Sequence, residues 1–123
     1  MTPAGALAVT IGAAAGALCR ALLASTGWRW VGLPLPTLMV NLGGSFVLGL
    51  LLGLGPDSRV GPGTRAMVGT GFCGSFTTMS TFAVETLDLP PWMAAANLGA
   101  NVGGSLLFAA LGTWVGRSLR STG

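Results

Sequence analysis

Four stretches of the chain are apolar for long enough to cross a bilayer, whose hydrocarbon core of about 30 Å asks for about 20 residues of helix. They run from about Ala4 to Ala24, Leu35 to Leu54, Thr64 to Leu87 and Pro91 to Val115. Prolines stand at two of the starts, Pro34 and Pro36 at the second and Pro90 and Pro91 at the fourth, where a missing N–H is tolerated. The connections Ser25–Pro34, Gly55–Gly63 and Asp88–Pro90 are short, and the middle one, GPDSRVGPG, is rich in turn residues. Polar positions recur within this apolar background at helical spacing. Thr37, Asn41 and Ser45 follow i, i+4, i+8 and share one face of the second stretch; Asn97, Asn101 and Ser105 do the same in the fourth. The third stretch differs. Between Gly71 and Phe82 it places two glycines and five hydroxyl residues in twelve positions, then Glu85. Such a composition weakens a helix, so a break is predicted there. Non-helical backbone at membrane depth is tolerated where it is buried in protein or lines a polar cavity.

Small residues add a packing pattern. Gly12/Gly16, Gly49/Gly53 and Gly99/Gly103 are pairs four apart, the spacing that lets helix backbones approach closely, within or between chains. The segments Asn41–Ser45 (NLGGS) and Asn101–Ser105 (NVGGS) nearly repeat. Their flanks do not match, so coincidence in a chain with 21 glycines is the simpler reading.

Composition decides the solvent. The chain has 123 residues, 51% hydrophobic and 7% charged, against roughly 25% charged in an ordinary soluble domain. Six arginines, no lysine and three acids cannot cover a soluble surface of this size. The expected architecture is an all-α membrane protein, one four-helix transmembrane domain over residues 1–123. The absence of His removes the commonest general base and metal ligand, so enzyme readings are unfavourable. The arginines form no basic patch for nucleic acid. Cys19 and Cys73 lie inside apolar stretches and read as small hydrophobes. The first stretch lacks a basic leading region and is longer than a signal-peptide core, so it is read as a retained span. Four spans put both termini on one side. That side carries Arg59, Arg65, Arg117 and Arg120 against Arg29, plus Arg20 if it reaches the interface, which favours termini in the cytoplasm.

Polar groups in hydrocarbon are costly and mark function more often than not. Asn and Ser can also simply join helices, but two stripes plus a broken polar segment favour a polar permeation path. Its amide and hydroxyl groups are donors, and Glu85 and Arg20 are the only ionisable side chains near it. A donor-lined path suits a small anion, and Phe82 can present a positive ring edge to one.

On these residues the chain resembles the CrcB/Fluc fluoride channels. The resemblance spans nearly the whole sequence. It is carried by Gly16–Arg20 (GALCR), by Thr37–Phe46 (TLMVNLGGSF) and above all by Gly71–Phe82 (GFCGSFTTMSTF) with the trailing Glu85. The resemblance implies an antiparallel, dual-topology dimer in the bacterial inner membrane. Two fluoride pathways would run along the subunit interface, and fluoride would leave passively down the membrane potential. It also implies a structural Na+ held at the helix break by backbone carbonyls matching Gly74 and Thr77. Asn41 matches a pore asparagine and Phe82 the second of two pore phenylalanines. Thr37, Ser80, Thr81, Glu85 and Ser105 match or neighbour a polar track, and Arg20 matches an arginine with a structural or vestibule role.

Three positions depart from the family pattern. Met79 replaces the first pore phenylalanine, Asn97 stands where a tyrosine is usual, and Asn101 where a serine is usual. A thioether fills space and is polarizable, but it has no ring edge. These changes leave a self-sufficient homodimer and one half of a heterodimer both open, including a subunit whose own pathway does not conduct. A proton-coupled small multidrug exporter shares the size and four spans. Such exporters resemble one another in a glutamate within the first helix, which is absent here.

Overall fold

A computed structural model describes residues 1–122. The first helix, α1, covers Pro3–Ala24. Its start is set by Thr2, whose hydroxyl accepts from the Gly5 N–H at 3.0 Å, and by Pro3 in the first turn. The first connection holds a small hairpin that the sequence pattern does not announce. Strands β1 (Arg29–Trp30) and β2 (Leu33–Pro34) pair antiparallel, Trp30 opposite Leu33. The two turn residues Val31 and Gly32 have φ of 53° and 88°, as a tight mirror-image hairpin turn requires. Valine is a poor fit to that conformation, which is why the turn escapes sequence inspection.

Helix α2 spans Leu35–Leu54 and stops at Gly55, φ 76°, with the same bounds as the second apolar stretch. The third stretch is a composite. A four-residue α3 (Pro62–Arg65) runs into a π-helix over Ala66–Cys73, a single turn α4 (Gly74–Phe76), a break at 77–79, and α5 (Ser80–Leu87). At the break Thr77 is extended, with ψ 155°. Helix α6 covers Pro91–Ser121, six residues past the expected Val115. The apolar signal stops there but the helix does not. Its last turn carries Arg120, where a cation suits the helix dipole. Three helices, α1, α2 and α6, are long and apolar enough to cross a membrane, with mean hydropathy 1.8, 1.8 and 1.4. No single piece of the third segment reaches that length.

Glycines set the layers. Helix α2 lies against α6 with backbones touching: a Cβ at Gly49 or Gly53 would collide with the carbonyls of Ala109 and Thr113, and one at Gly112 or Gly116 with those of Phe46 and Leu50. Helix α1 lies in the same way on the π-helix through Gly12, Gly16 and Gly71. The first two predicted pairs therefore pack within the chain. The third does not: Gly99 and Gly103 have nothing within 4 Å of where a Cβ would stand, and Gly112/Gly116 serve the seam instead. The buried apolar core is small, comprising Val40, Cys73, Phe82 and Met93, while leucines and four tryptophans lie outward, as a lipid solvent allows. Arg65 closes the α2–α3 loop. Its Nη1 donates to Leu51 O at 2.8 Å, its Nη2 to Gly55 O and Ser58 Oγ, and its Nε to Val60 O at 3.2 Å. One guanidinium so satisfies carbonyls at the end of α2 that have no intrahelical partner.

Candidate functional site

The break leaves backbone groups of Thr78 without a helical partner, and Asn41 of α2 supplies both. Its Oδ1 accepts from the Thr78 N–H at 2.8 Å, and its Nδ2 donates to Thr78 O at 3.1 Å. The Thr78 N–H therefore does not close a helical bond on Gly74 O, four residues back. Thr77 turns its N–H and its hydroxyl to Cys73 O instead, at 3.1 and 2.9 Å. The far side of the break starts α5, where the Thr78 hydroxyl accepts from the Thr81 N–H at 3.2 Å and lies 3.4 Å from Ser80 Oγ.

From Asn41 a file of side-chain bonds crosses to α6 and returns to α5. Asn41 Nδ2 donates to Asn101 Oδ1 at 3.0 Å. Asn101 Nδ2 donates to Asn97 O at 3.0 Å and Asn97 Oδ1 at 3.1 Å. Asn97 Nδ2 donates to Thr86 Oγ1 at 2.9 Å, and the Thr86 hydroxyl to Phe82 O at 2.7 Å. The near-repeat thus brings its two asparagines into direct contact. Both N–H groups of Asn41 are engaged within the chain. Asn97 and Asn101 are only 2% and 4% exposed, and burial of amides at this level demands partners.

The other candidate residues divide between two regions. A groove of about 540 Å³ on one face of the chain is lined by Asn41, Gly74, Thr77, Met79, Phe82, Asn101 and Ser105. Met79 is 71% exposed on it, whereas Phe82 is buried. Asn97 does not reach the groove. Behind it lie two smaller cavities. One of about 180 Å³ holds Arg20, Thr37, Thr78 and Thr81; another of about 230 Å³ holds Arg29, Thr37 and Glu85. Thr78 is shared by the groove and the first cavity, and Thr37 by the two cavities. The three spaces therefore form a series from Arg29 past Arg20 to Asn41. The Thr37 hydroxyl donates to Glu85 Oε1 at 2.5 Å, and Glu85 Oε2 is buried without a hydrogen-bond partner among the described residues. Arg20 Nε donates to Ser75 O at 3.0 Å, which ties α1 to the segment just before the break, and Arg20 also lines the smaller cavity. Two residues that the sequence pattern does not single out, Thr78 and Thr86, complete the network. Thr86 stands four after Phe82, a one-turn spacing that could have drawn attention to it.

The arrangement presents donors (amide, hydroxyl, guanidinium) along a path with a single carboxylate. It also presents carbonyls released by the break. Donors of this kind are able to coordinate a small anion, and free carbonyls a hard cation.

Residues 7–117 match the family described as CrcB-like protein, Camphor Resistance (CrcB). Among curated relatives, the Fluoride-specific ion channel FluC of Methanopyrus kandleri is 46% identical over 103 residues, covering 77% of this chain and 76% of its own. Fluoride-specific ion channel FluC 2 of Moorella thermoacetica is 43% identical over 121 residues, 89% and 91% of the two chains. The Fluoride-specific ion channel FluC of Cupriavidus pinatubonensis is 43% identical over 127 aligned positions, 97% and 99% of the two chains.

Proposed function

Because the chain belongs to the CrcB-like family, a family of ion channels and not of enzymes, we propose that it is a subunit of a fluoride-specific channel that lets fluoride leave the cell passively. The observation that carries this reading is the helix break pinned by Asn41 beside a polar groove on an otherwise apolar chain. A groove lined by Asn41, Asn101 and Ser105 is costly against lipid. A second copy laid antiparallel over the same face covers it and turns two grooves into two paths. The open Gly99 and Gly103 surface and the unobstructed Gly74 lie on helices α6 and α4 that border this face.

Fluoride is small and strongly hydrated, so the path must replace water with close donors and still release the ion. Arg29 and Arg20 raise the local anion concentration at the cavities. The hydroxyls of Thr81 and Thr78 offer successive donors, while the Thr37 hydroxyl is engaged by Glu85 and could serve only by releasing it. In the groove the ion meets the edge of Phe82 and takes an N–H of Asn41 in exchange for the bond to Asn101. The carbonyls of Gly74 and Thr77 suit a hard cation such as Na+, since the Thr78 N–H has turned away from Gly74 to Asn41. No three His, Cys, Asp or Glu side chains gather among the described residues, so carbonyl oxygens are the donor set on offer. Held by the carbonyls of Gly74 and Thr77, Na+ would supply a fixed positive charge there. The excess of Arg59, Arg65, Arg117 and Arg120 over Arg20 and Arg29 supports an orientation with both termini in the cytoplasm, in the inner membrane.

A second reading, one half of a heterodimer with a degenerate pathway, is favoured by one observation: among the large apolar residues lining the groove the most exposed is Met79, which offers no ring edge. Fluoride efflux from liposomes holding the purified chain alone tests both. Efflux under a valinomycin-clamped potential supports the self-sufficient channel. None from a folded dimer, with efflux restored by a sister subunit, supports the second reading. None under either condition overturns both.

A further inference from the structure

The file of amides has one polarity only, and backbone groups dictate it. At the α6 end, Asn97 O is a fixed acceptor, so the Asn101 atom facing it at 3.0 Å must be the amide nitrogen. That turns Asn101 Oδ1 toward Asn41 and requires the Asn41 atom opposite, at 3.0 Å, to be nitrogen. At the other end the Thr78 N–H is a fixed donor and requires Asn41 Oδ1 at 2.8 Å. A side branch agrees: Phe82 O takes the Thr86 hydroxyl proton, so Thr86 Oγ1 must accept from Asn97 Nδ2. Reversing any one amide would set donor against donor or acceptor against acceptor at a buried site, which leaves polar groups unsatisfied.

We propose that Asn101 is a positioning residue that, from α6, holds the Asn41 amide in the one orientation that the Thr78 backbone also demands, so that α6 and the break together keep its Nδ2 beside the groove. The inference rests on the fluoride-channel reading for its role in flux, but the bond polarity stands on the geometry alone. Asn97 and Thr86 hold Asn101 in turn. Asn97 is off the groove and acts only through this file.

The substitution Asn101→Asp tests it. While protonated, the new carboxyl keeps both functions of the asparagine, accepting from Asn41 at one oxygen and donating to Asn97 O from the other. The ionised form can only accept and faces the two oxygens of Asn97. Flux through Asn101→Asp in liposomes is therefore expected about tenfold or more below wild type where the new carboxyl is ionised. It should recover toward wild type as the pH is lowered through its titration. Glu85, bonded to Thr37 one turn before Asn41, and Cys73, on the groove wall, are the native titratable groups nearby. The wild-type profile, with that of empty vesicles for neutral-acid leak, is subtracted for them. A variant whose flux is low at every pH, or equal to wild type at every pH, overturns the proposal while wild-type flux upholds the channel reading. If wild type does not conduct alone, the channel reading and not this proposal is in question, and the side-chain amide 15N–1H signals of Asn41 decide the latter. They should move with pH in Asn101→Asp and not in wild type; signals that stay put overturn it. Should Asn101→Asp fail to fold, Asn101→Leu serves, because loss of the Oδ1 acceptor must shift one of the two Asn41 amide protons. An unshifted pair overturns the proposal.

Discussion

Helices α2 and α6 meet from Asn41 and Asn101 to Gly53 and Gly116, yet the two halves of that seam are built by opposite means. Toward the loop at Gly55, Gly49, Gly53, Gly112 and Gly116 bring main chain against main chain, and no side chain intervenes. Toward the break, Asn41 and Asn101 stand between the same helices and are joined by a hydrogen bond of 3.0 Å, with the groove alongside. The dry half tolerates no added atom; the polar half tolerates no unpaired one. Close packing is intolerant of volume and indifferent to polarity, whereas a buried amide file is the reverse. The division puts close backbone packing at one end of the seam and hydrogen-bonded polar side chains at the other.

The strongest way to break the comparison is to add volume at the dry end. Gly49→Val places a branched side chain against Ala109 O. Loss of the folded protein is expected, with a cost of about 3 kcal/mol or more. Recovery of wild-type elution and thermal stability in detergent would show that the seam can spread.

At the polar end, Asn41→Asp changes charge at nearly constant volume. The carboxylate cannot donate to Thr78 O or Asn101 Oδ1 and repels an anion. Flux should fall to the level of empty liposomes. Near-normal efflux would remove Asn41 from the path.

Gly74→Val lies off the seam and separates the chain from its assembly. Nothing stands within 4 Å of a Cβ there, so each subunit should keep its own fold. Cation binding and the dimer should be lost, as read by light scattering and by Na+ dependence of flux. A dimer that persists with bound cation refutes the role given to Gly74.

The smallest effect is expected from Met79→Phe, on the exposed wall of the groove. A live pore should keep or raise its flux, within about threefold. A pathway not used for conduction should give no response, and a collapse of flux with the dimer intact contradicts both.

Much of the fold was legible because apolar length and helix-breaking composition are local properties. The bounds of α2 and a break within Gly71–Phe82 follow from them, and of the three glycine pairs read from spacing two pack within the chain. The π-helix was not legible, since eight residues are too few for the pattern to distinguish its wider turn from an α-helical one. The hairpin was hidden by a valine in a glycine-like conformation. In the site, the polar stripes on α2 and α6 were visible as stripes, but spacing along one helix says nothing about which residue of another helix it meets. The near-repeat of NLGGS and NVGGS gives no sign that Asn41 and Asn101 meet, and the stripe on α6 does not show that Asn97 is buried and off the groove lining.

What the sequence by itself determined is the solvent, the number of membrane segments and the kinds of polar group they carry, because each is settled by composition and period within a single stretch. Only the tertiary structure decided which glycine pairs form the seam, that Asn41 serves Thr78 before any ion, and that the amides run in one direction from α6 to the break. Those depend on the register between helices. Register follows from where two backbones can touch and from which fixed backbone donors and acceptors lie opposite, and neither is written in any one segment.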